Sequence, residues 1–340
     1  MMETAHSNAN TLPAVMRALE LQAYDGNLRV AEKAVPRPGP GEVLIHMAAA
    51  PIHPSDLMFL HGMYGFKNPL PVVPGGEGSG RVVEAGPGLL PRLWLGRRVG
   101  CAASEERDGT WAEYMVTKAM LCLPLVKSVS LEQGSMMFVN PWTARALLDI
   151  ARRGKHKAIA NTAGASALGR MILRLGLRLD YPMVHIVRRQ AQVDLLHGMG
   201  AAHILNSSDS DFQAQLRETF RSLGVTLALD AVAGEMTGRL LAAMPPGGRV
   251  IVYGGLSKSA CMADPRQFVF EKKGIDGFWL TDWISEASIA RLLKTALSVQ
   301  RLLSTDLQTA VWACVSLEDA VDGLESYMKE MTKGKILIVP

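Results

Sequence analysis

A short segment bracketed by glycines, Gly164-Ala-Ser-Ala-Leu-Gly169, has residue types that let a chain wrap closely around phosphate groups. Small side chains allow a sharp turn and bring the amide groups that open a helix close to an anion. The segment follows an apolar stretch at 158–162 and precedes an amphipathic one at 169–179. It differs from the dinucleotide fingerprint G-x-G-x-x-G at its second glycine, where Ser166 adds a hydroxyl donor. The alternative interpretation is a tight strand–helix turn that binds nothing.

Two arginines, Arg188 and Arg189, end the next apolar stretch, about 20 residues after this loop. An NAD site usually places Asp or Glu at this point to bind the ribose 2′-hydroxyl group. A guanidinium group suits a 2′-phosphate instead, because its planar fork contacts two oxygens and its charge is permanent. The pair therefore predicts NADPH as the cofactor, against the alternative of a solvent-exposed basic start of a helix.

The sequence offers little support for zinc or for a covalent nucleophile. Its four cysteines are widely spaced, and its eight histidines form neither an HxxxH pair nor Cys/His ligand spacing. His53 and His61 fit loop histidines with ordinary partners better than ligands. No G-x-S-x-G elbow occurs, so a serine hydrolase has no support. We therefore predict no metal and assign the redox chemistry to a nicotinamide.

The periodicity of apolar residues changes along the chain. Up to about residue 135, short β-type runs at 43–49, 81–84, 98–102 and 111–117 alternate with Pro- and Gly-rich segments, which favours an antiparallel, barrel-like domain. From residue 157 onwards, apolar runs alternate with amphipathic stretches, which indicates a parallel, doubly wound sheet. The last apolar run, at 335–339, is expected to pair back onto the first domain.

Length and charge narrow the class of protein. A chain of 340 residues is expected to form two domains. The net charge of +4 is too small to make nucleic acid the expected partner. No run of 18 apolar residues occurs, so no membrane association is expected. Residues 1–15 lack a signal pattern and are interpreted as a flexible tail, which predicts a cytoplasmic protein.

Three motifs near the N-terminus resemble those of the medium-chain dehydrogenase/reductase superfamily, in its zinc-free branch. They are His53-Pro-Ser-Asp56, Gly62-Met-Tyr-Gly65 and Pro74-Gly-Gly-Glu-Gly78, which resemble the family's N-P-S-D, G-x-Y and G-x-E-G series. Zinc-using members carry Cys in the first motif and His in the last, and this sequence has neither. The resemblance extends from about residue 17 to the C-terminus. It implies a Rossmann doubly wound parallel sheet plus a β-rich GroES-like barrel domain.

Within that branch, the sequence is most similar to trans-2-enoyl-thioester reductases of the mitochondrial type. Val139-Asn-Pro-Trp-Thr143, Tyr253-Gly-Gly-Leu256 and Gly277-Phe-Trp-Leu280 resemble their V-N-P-x-T, Y-G-G-M and G-F-W-L segments. The resemblance makes Tyr64 the proton donor or substrate anchor and places Trp279 beside the substrate and nicotinamide. Ala167 departs from the pattern, since those reductases have Gly there. The implied cofactor contacts are Asn140, Thr143, Ala165, Ser166, Ala167, Leu168, Arg188, Arg189, Tyr253, Gly254, Gly255, Leu256, Phe278, Trp279, Leu280 and Lys335.

The resemblance also implies a domain plan and an activity. We expect a catalytic GroES-like domain at 16–138 and 282–340, and a Rossmann NADPH-binding domain at 139–281. The implied activity is hydride transfer from NADPH to the activated C=C of an enoyl thioester or enone. Because G-x-Y also occurs in quinone oxidoreductases, an NADPH:quinone oxidoreductase stays open, as does a non-catalytic NADPH-binding sensor. A homodimer that pairs an edge strand at 274–280 is also expected.

Overall fold

The computed structural model describes residues 12–340, so most of the predicted tail at 1–15 lies outside the described residues. The tail prediction extends too far, because a strand already begins at Val15. The chain divides into two compact units. The first contains residues 12–136 together with Val311–Lys329 and Lys335–Pro340, and the second contains Met137–Ala310 and Glu330–Gly334.

The first unit is rich in β-structure. Its strands are β1 (Val15–Leu21), β2 (Leu28–Ala34), β3 (Glu42–Pro51), β4 (Glu77–Ala85), β5 (Arg98–Ala102), β6 (Tyr114–Lys118), β7 (Cys122–Pro124), β14 (Val311–Val315) and β15 (Lys335–Ile338). Its helices are α1 (Pro54–Leu60), α2 (Leu89–Trp94), α3 (Leu131–Gly134) and α12 (Ala320–Lys329). The four predicted β-type runs of this part are confirmed as β3, β4, β5 and β6. Strand β5 has the predicted ends, and the other three have shifted ends.

Strand β3 is the centre of the main sheet of this unit. The strand order is β14-β15-β3-β4-β5-β7, with β6 also paired to β3, and β1 and β2 form a separate hairpin. Alternate residues of β3, Val43, Ile45 and Met47, join one apolar cluster with Val82 and Val99 of the neighbouring strands. This two-residue period is what an antiparallel sheet with a buried face requires.

The C-terminal strand returns to the first unit, as predicted. Strand β15 pairs antiparallel with β3, with Leu337 opposite Pro51. The return begins at Val311, whereas we expected it at residue 282. The segment between these points stays with the second unit, where Arg291 forms an ion pair with Asp149.

The second unit alternates strands and helices. Its strands are β8 (Ala158–Asn161), β9 (Met183–Val187), β10 (His203–Asn206), β11 (Val225–Asp230), β12 (Arg249–Val252) and β13 (Gly274–Gly277). Its helices are α4 (Val139–Arg153), α5 (Ala167–Arg178), α6 (Gln190–Gly198), α7 (Phe212–Leu223), α8 (Glu235–Ala243), α9 (Pro265–Val269), α10 (Leu280–Glu286) and α11 (Ile289–Leu302). The predicted alternation of strands and helices is therefore confirmed.

All six strands of this sheet run parallel, in the order β10-β9-β8-β11-β12-β13. Numbered within the sheet, that order is 3-2-1-4-5-6, the doubly wound arrangement of dinucleotide-binding domains. The chain reverses its winding direction between β8 and β11. Loops at the carboxyl ends of these two strands diverge there and leave a crevice, which is where such sheets bind ligands. The predicted fold class is thus confirmed. In the main sheet of the β-rich unit, the strand order runs from β14 to β7, and these two end strands do not pair with each other in the described part of the chain.

Two predicted elements near the end of the second unit have the wrong bounds. The strand predicted at 274–280 ends at Gly277, and helix α10 starts at Leu280. The amphipathic pattern of residues 285–303 predicts one helix, but the structure has the two helices α10 and α11, because Ser288 interrupts the run of helical hydrogen bonds. Its side chain accepts a hydrogen bond from the amide of Arg291 and caps α11, which a serine does well at this position. No helix within residues 12–340 is long and apolar enough to span a membrane.

A histidine lies in the interior of the parallel sheet. His185, on β9, is only 1% exposed. Among the described residues, neither of its ring nitrogens has a hydrogen-bond partner. Burial lowers the pKa of this imidazole to about 4, because the protonated ring would lose its hydration. His185 therefore stays neutral in the folded protein at pH 7.

This placement predicts an acid-sensitive contribution to stability. The unfolded chain binds a proton on His185 below about pH 6.5, while the folded chain does so only near pH 4. The free energy of unfolding should therefore fall by about 2–3 kcal/mol from this residue as the pH drops from 7.5 to 4.5. His185→Met should remove that part of the slope in urea titrations, whereas replacing the exposed His197 by Asn should not. Parallel pH profiles for wild type and His185→Met would contradict the assignment.

Candidate functional site

The glycine-bracketed loop connects β8 to α5 at the carboxyl edge of the parallel sheet. The amide of Gly164 donates to the carbonyl of Ile186, which ties the loop to the neighbouring strand. A Cβ atom on Gly169 would lie 2.3 Å from the carbonyl oxygen of Gly164. The backbones therefore approach each other so closely that only glycine fits at 169. This is the close helix–strand contact that the third glycine of the fingerprint serves.

Ser166 begins the helix. Its hydroxyl oxygen accepts a hydrogen bond from the amide of Gly169 at 3.0 Å, so it is the N-cap of α5. A hydroxyl that accepts a hydrogen bond can also donate one, so the expected donor role of Ser166 toward a ligand stays a prediction. The side chain of Ala165 is buried, whereas Ser166, Ala167 and Leu168 are partly exposed. The first amides of a helix have no partner within it, so those at Ala167 and Leu168 are suited to an anion.

The two arginines lie at the carboxyl end of the strand beside this loop. Arg188 and Arg189 directly follow β9, and both are exposed. Within residues 12–340, neither guanidinium group forms an ion pair with a carboxylate. The backbone around them is held in place, since the hydroxyl of Ser208 donates to the carbonyl of Arg188 at 2.9 Å. Two unpaired cations on a fixed backbone, next to a loop that suits phosphate, fit a phosphorylated ribose.

A buried hydrogen-bond network fixes the two strands at the crevice. The Asp230 carboxylate, at the end of β11, accepts from the hydroxyl of Thr162 at 2.8 Å and from that of Thr237 at 2.8 Å. It also accepts from the amides of Val232 and Ala233. Thr162 follows β8, so one carboxylate joins the ends of β8, β11 and α8. None of these three side chains was among the predicted site residues, although an Asp at the end of an apolar strand is a usable signal.

Tyr253 and Asn161 form a second polar pair at this edge. The phenol of Tyr253, which follows β12, donates to Asn161 Oδ1 at 3.2 Å. Burial raises the pKa of this phenol, and the nearby Asp230 carboxylate raises it further. The Nδ2 group of Asn161 is buried and has no partner among the described residues. A buried amide donor without an acceptor is costly, so Asn161 is a ligand-facing candidate that the sequence analysis did not identify.

The remaining predicted cofactor residues of this unit divide between two loops and a helix. Gly254, Gly255 and Leu256 follow β12, and a Cβ atom on Gly254 would lie 3.0 Å from the carbonyl oxygen of Ala231. Phe278, Trp279 and Leu280 follow β13 and are half-buried. Since all strands are parallel, both loops lie at the same edge as residues 164–169. Asn140 and Thr143 lie in the first turns of α4, and Thr143 is buried. Their cofactor contacts stay predictions.

In the first unit, Tyr64 lies on the segment that follows α1. Its ring packs edge-on against Phe66, with 5.2 Å between the ring centres. Phe66 in turn contacts Phe59 of α1, and Phe59 contacts Tyr24. This chain of aromatic contacts holds the segment against the helix. The Tyr64 side chain is half-buried, and its role as proton donor or substrate anchor stays a prediction.

Lys335 lies in a buried polar cluster of the first unit. Its Nζ group donates to the carbonyl of Ile52 at 2.7 Å and to the phenol of Tyr327 at 2.8 Å, and it lies 3.0 Å from His53 Nδ1. The Nε2 atom of His53 lies 2.7 Å from Glu77 Oε1. The residue is 2% exposed, so the structure gives Lys335 a structural role here. Its predicted contact with a cofactor stays a prediction.

The same cluster fixes the start of α1. His53 is the N-cap residue of that helix, and its amide donates to Asp56 Oδ2 at 2.7 Å. Burial raises the pKa of the Asp56 carboxyl. Burial lowers the pKa of Lys335 to about 7, against the opposing charges of Asp56 and Glu77. The motif His53-Pro-Ser-Asp56 thus anchors the helix that leads to Tyr64. Within residues 12–340, no group of three or more His, Cys, Asp or Glu side chains could hold a metal ion.

Comparison with known protein families identifies both parts of the chain. Residues 39–127 match the alcohol dehydrogenase GroES-like domain. Residues 167–297 match the family model described as zinc-binding dehydrogenase. The first match covers strands β3 to β7 of the β-rich part. The second starts at the first residue of α5 and covers the parallel sheet from β9 to β13.

Curated relatives cover nearly the whole chain. The mitochondrial enoyl-[acyl-carrier-protein] reductase of Rattus norvegicus is 27% identical over 333 residues, which are 95% of this chain and 84% of that protein. The enzyme of the same name from Homo sapiens is 28% identical over 308 residues, 87% of this chain and 80% of that protein.

A solved structure is more similar in sequence. It comes from Mesorhizobium loti and is provisionally described as an NADPH:quinone reductase. It is 35% identical, covers 97% of this chain and 100% of its own, and superimposes with a TM-score of 0.91. On these matches and on the two folds described above, the chain belongs to the medium-chain dehydrogenase/reductase superfamily of oxidoreductases and fits its zinc-free branch.

Proposed function

We propose that this protein reduces the activated C=C bond of an enoyl thioester with NADPH as hydride donor. The observation that carries the cofactor choice is the Arg188–Arg189 pair, which stands where an NAD site would place a carboxylate. The substrate class is supported by the similarity to enoyl-thioester reductases along nearly the whole chain. The residues 164–169 loop supports a bound pyrophosphate, and the partnerless Asn161 amide supports a polar ligand group beside it.

The chain's own residues have three tasks in this proposal. NADPH, when bound, supplies the hydride. The amides of Ala167 and Leu168 and the two arginines bind its phosphates. Trp279 offers a flat apolar wall that helps to exclude water from the reacting carbon. Tyr64 gives a proton to the α-carbon of the enolate, because a phenol with an ordinary pKa near 10 is a competent donor to so basic a group.

An NADPH:quinone oxidoreductase is the second candidate. The observation that favours it is the Mesorhizobium loti structure, which has the higher identity. A panel of acceptors decides between the two: short and medium trans-2-enoyl thioesters, an enone and a para-quinone, each followed by the loss of NADPH absorbance. Turnover of the enoyl thioesters well above the quinone supports the proposal, and the reverse order supports the second candidate. Binding of NADPH without turnover of any acceptor would favour a non-catalytic sensor.

The arginine pair should determine cofactor choice. Arg188→Ala combined with Arg189→Ala should weaken NADPH binding by at least about 10- to 100-fold, since even one charge-assisted hydrogen bond to the 2′-phosphate contributes about 1.5–3 kcal/mol. NADH binding should change by no more than about twofold. Calorimetric titration measures both. Arg217→Ala with Arg221→Ala, on the exposed face of α7, removes the same charge as a control. An equal loss of affinity for both cofactors would show that the two arginines do not bind the 2′-phosphate.

The hydroxyl of Tyr64 should matter for turnover and not for cofactor binding. Tyr64→Phe keeps the ring that packs on Phe66 and removes only the proton donor. We expect kcat with enoyl thioesters to fall at least about tenfold, with the Kd for NADPH unchanged. Phe66→Leu is the matched control, because it disturbs the ring contact and leaves the phenol intact. Unchanged turnover in Tyr64→Phe would exclude this residue from proton transfer.

We also infer a homodimer that forms through the edge of the parallel sheet. Strand β13 is the last strand in the order, and Val269 and Phe270 beside it are strongly exposed. An open strand edge next to apolar side chains is a ready pairing surface. Light scattering should give twice the chain mass, and Val269→Asp with Phe270→Asp should give a monomer. Leu177→Asp, also exposed, is the control. A wild-type monomer at all concentrations would contradict the inference.

Two further expectations stay predictions. The compartment is one of them, since the curated relatives above are named as mitochondrial enzymes while we expect a cytoplasmic protein. The other is the absence of nucleic-acid and membrane partners, which depends only on the modest net charge and the sequence pattern. The acceptor panel does not bear on either expectation.

A further inference from the structure

A cleft in the second unit combines positive charge with an apolar floor, and nothing in the proposed reaction uses it. It lies between α4, α5 and α11 and has a volume of about 360 Å³, within the range of small-molecule sites. Four cationic side chains border it: Arg145, Arg178, Lys294 and Arg301. Four leucine side chains from α5, from the residue after it and from α11 complete most of the lining.

The cleft is separate from the phosphate-binding loop. Helix α5 starts beside that loop at Ala167, and the part of it that borders the cleft includes Arg178, its last residue. Eleven residues at 1.5 Å per residue place these two ends about 16 Å apart. The cleft therefore lies toward the amino ends of the strands, while the loop lies at their carboxyl ends.

The positive charge in the cleft has little compensation from the protein. Arg178 pairs with Asp306 at 2.9 Å. Within the described part of the chain, no carboxylate lies within ion-pair distance of Arg145, Lys294 or Arg301. The Nε atom of Arg145 is buried and has no hydrogen-bond partner there. Burial lowers the pKa of this guanidinium, the Asp149 carboxylate one turn along α4 opposes that effect, and the neighbouring Arg152 adds to it. A half-buried cation whose Nε atom has no partner, beside other cations, is stabilised when a further anion joins it.

The apolar part of the cleft continues along the surface of α11. Ile289, Leu293 and Leu297 recur every four residues on this helix and are each more than half exposed. Leu297 also borders the cleft. The stripe from Ile289 to Leu297 extends about 12 Å along the helix axis. A ligand with its head among the cations could therefore lay an apolar chain along this stripe.

We propose that this cleft binds an amphiphilic anion, namely a carboxylate that carries an alkyl chain. The guanidinium groups of Arg145 and Arg178 bind the carboxylate, which offers two oxygens to a planar fork. Lys294 and Arg301 add charge at the rim. The alkyl chain covers the leucines and the stripe on α11, which removes apolar surface from water. Both halves of the ligand are needed, because the cationic side chains bind the carboxylate head and the leucine side chains pack against the alkyl chain.

Calorimetric titration with dodecanoate, below the concentration at which it forms micelles, tests the proposal. We expect one molecule to bind per chain. Lys294→Glu with Arg301→Glu should weaken binding at least about tenfold, or about 1.4 kcal/mol. Both residues are exposed, so the fold should tolerate the change. Lys157→Glu with Arg217→Glu reverses as many charges elsewhere in the unit and should change the Kd by no more than about twofold. Leu297→Asn should weaken dodecanoate and leave short-chain acetate unaffected.

Three probes define what would overturn the proposal. Dodecyltrimethylammonium has the same chain and the opposite charge, and equal binding of it would show a merely apolar surface. Inorganic phosphate binding as tightly as dodecanoate would show a plain anion site. Saturating NADPH should leave dodecanoate binding unchanged, and displacement would place the ligand in the cofactor crevice. Since none of these readouts needs turnover, failure here is distinguishable from failure of the proposed reductase activity.

Discussion

The close approach of two backbone segments, at Gly164 and Gly169, is the constraint on which the rest of the site depends. With 2.3 Å between the carbonyl oxygen of one and the Cβ that the other lacks, no larger residue fits at 169. This contact seats the first turn of α5 directly at the end of β8. It thereby points unpaired amides at the place where the winding of the sheet reverses. The loop, the arginine pair and the Asp230 network all lie at that same edge.

The two units solve the problem of burying polar groups in different ways. In the parallel sheet, Asp230 accepts from two hydroxyls and two amides, so a buried carboxylate is fully used to join loop ends. In the β-rich unit, Lys335 gives its hydrogen bonds to the protein itself and links the C-terminal strand to the start of α1. Both networks stiffen the backbone beside a predicted site residue. Asn161 is different, because its Nδ2 group has no such partner among the described residues, and this is the pattern expected of a group that meets a ligand.

Much of the parallel unit could be predicted from the sequence, because buried strands and amphipathic helices have distinct periods. The apolar run at 183–187 predicts a strand and the pattern at 190–198 a helix, and β9 and α6 have these bounds. The loop at 164–169 lies where the pattern placed it. A helix cap is a single local hydrogen bond and does not change the spacing of apolar residues. The break at Ser288 was therefore missed. Helix α4 was noticed only through its motif. The C-terminal return was predicted, whereas its start at Val311 depends on packing between distant segments such as Arg291 and Asp149.

The cofactor-binding residues were found by motif, and the groups that hold them were not. A spacing rule leads to Arg188 and Arg189, but no rule along the chain joins Thr162 to Asp230, which are far apart in sequence. The same holds for His53 and Lys335, whose contact exists only because β15 pairs with β3. Sequence patterns report local geometry and periodic burial well. They report side-chain networks poorly, because such networks depend on the final topology.

The most direct test of the central claim is hydrogen exchange of the backbone amides with and without NADPH. If a phosphorylated nicotinamide binds at the start of the parallel sheet, protection should rise at residues 161–168 and 188–189. At residues 188–189 the protection should rise less with NADH, because NADH lacks the 2′-phosphate that the arginines are proposed to bind. Protection that is absent, or that appears only in other parts of the chain, would contradict the account.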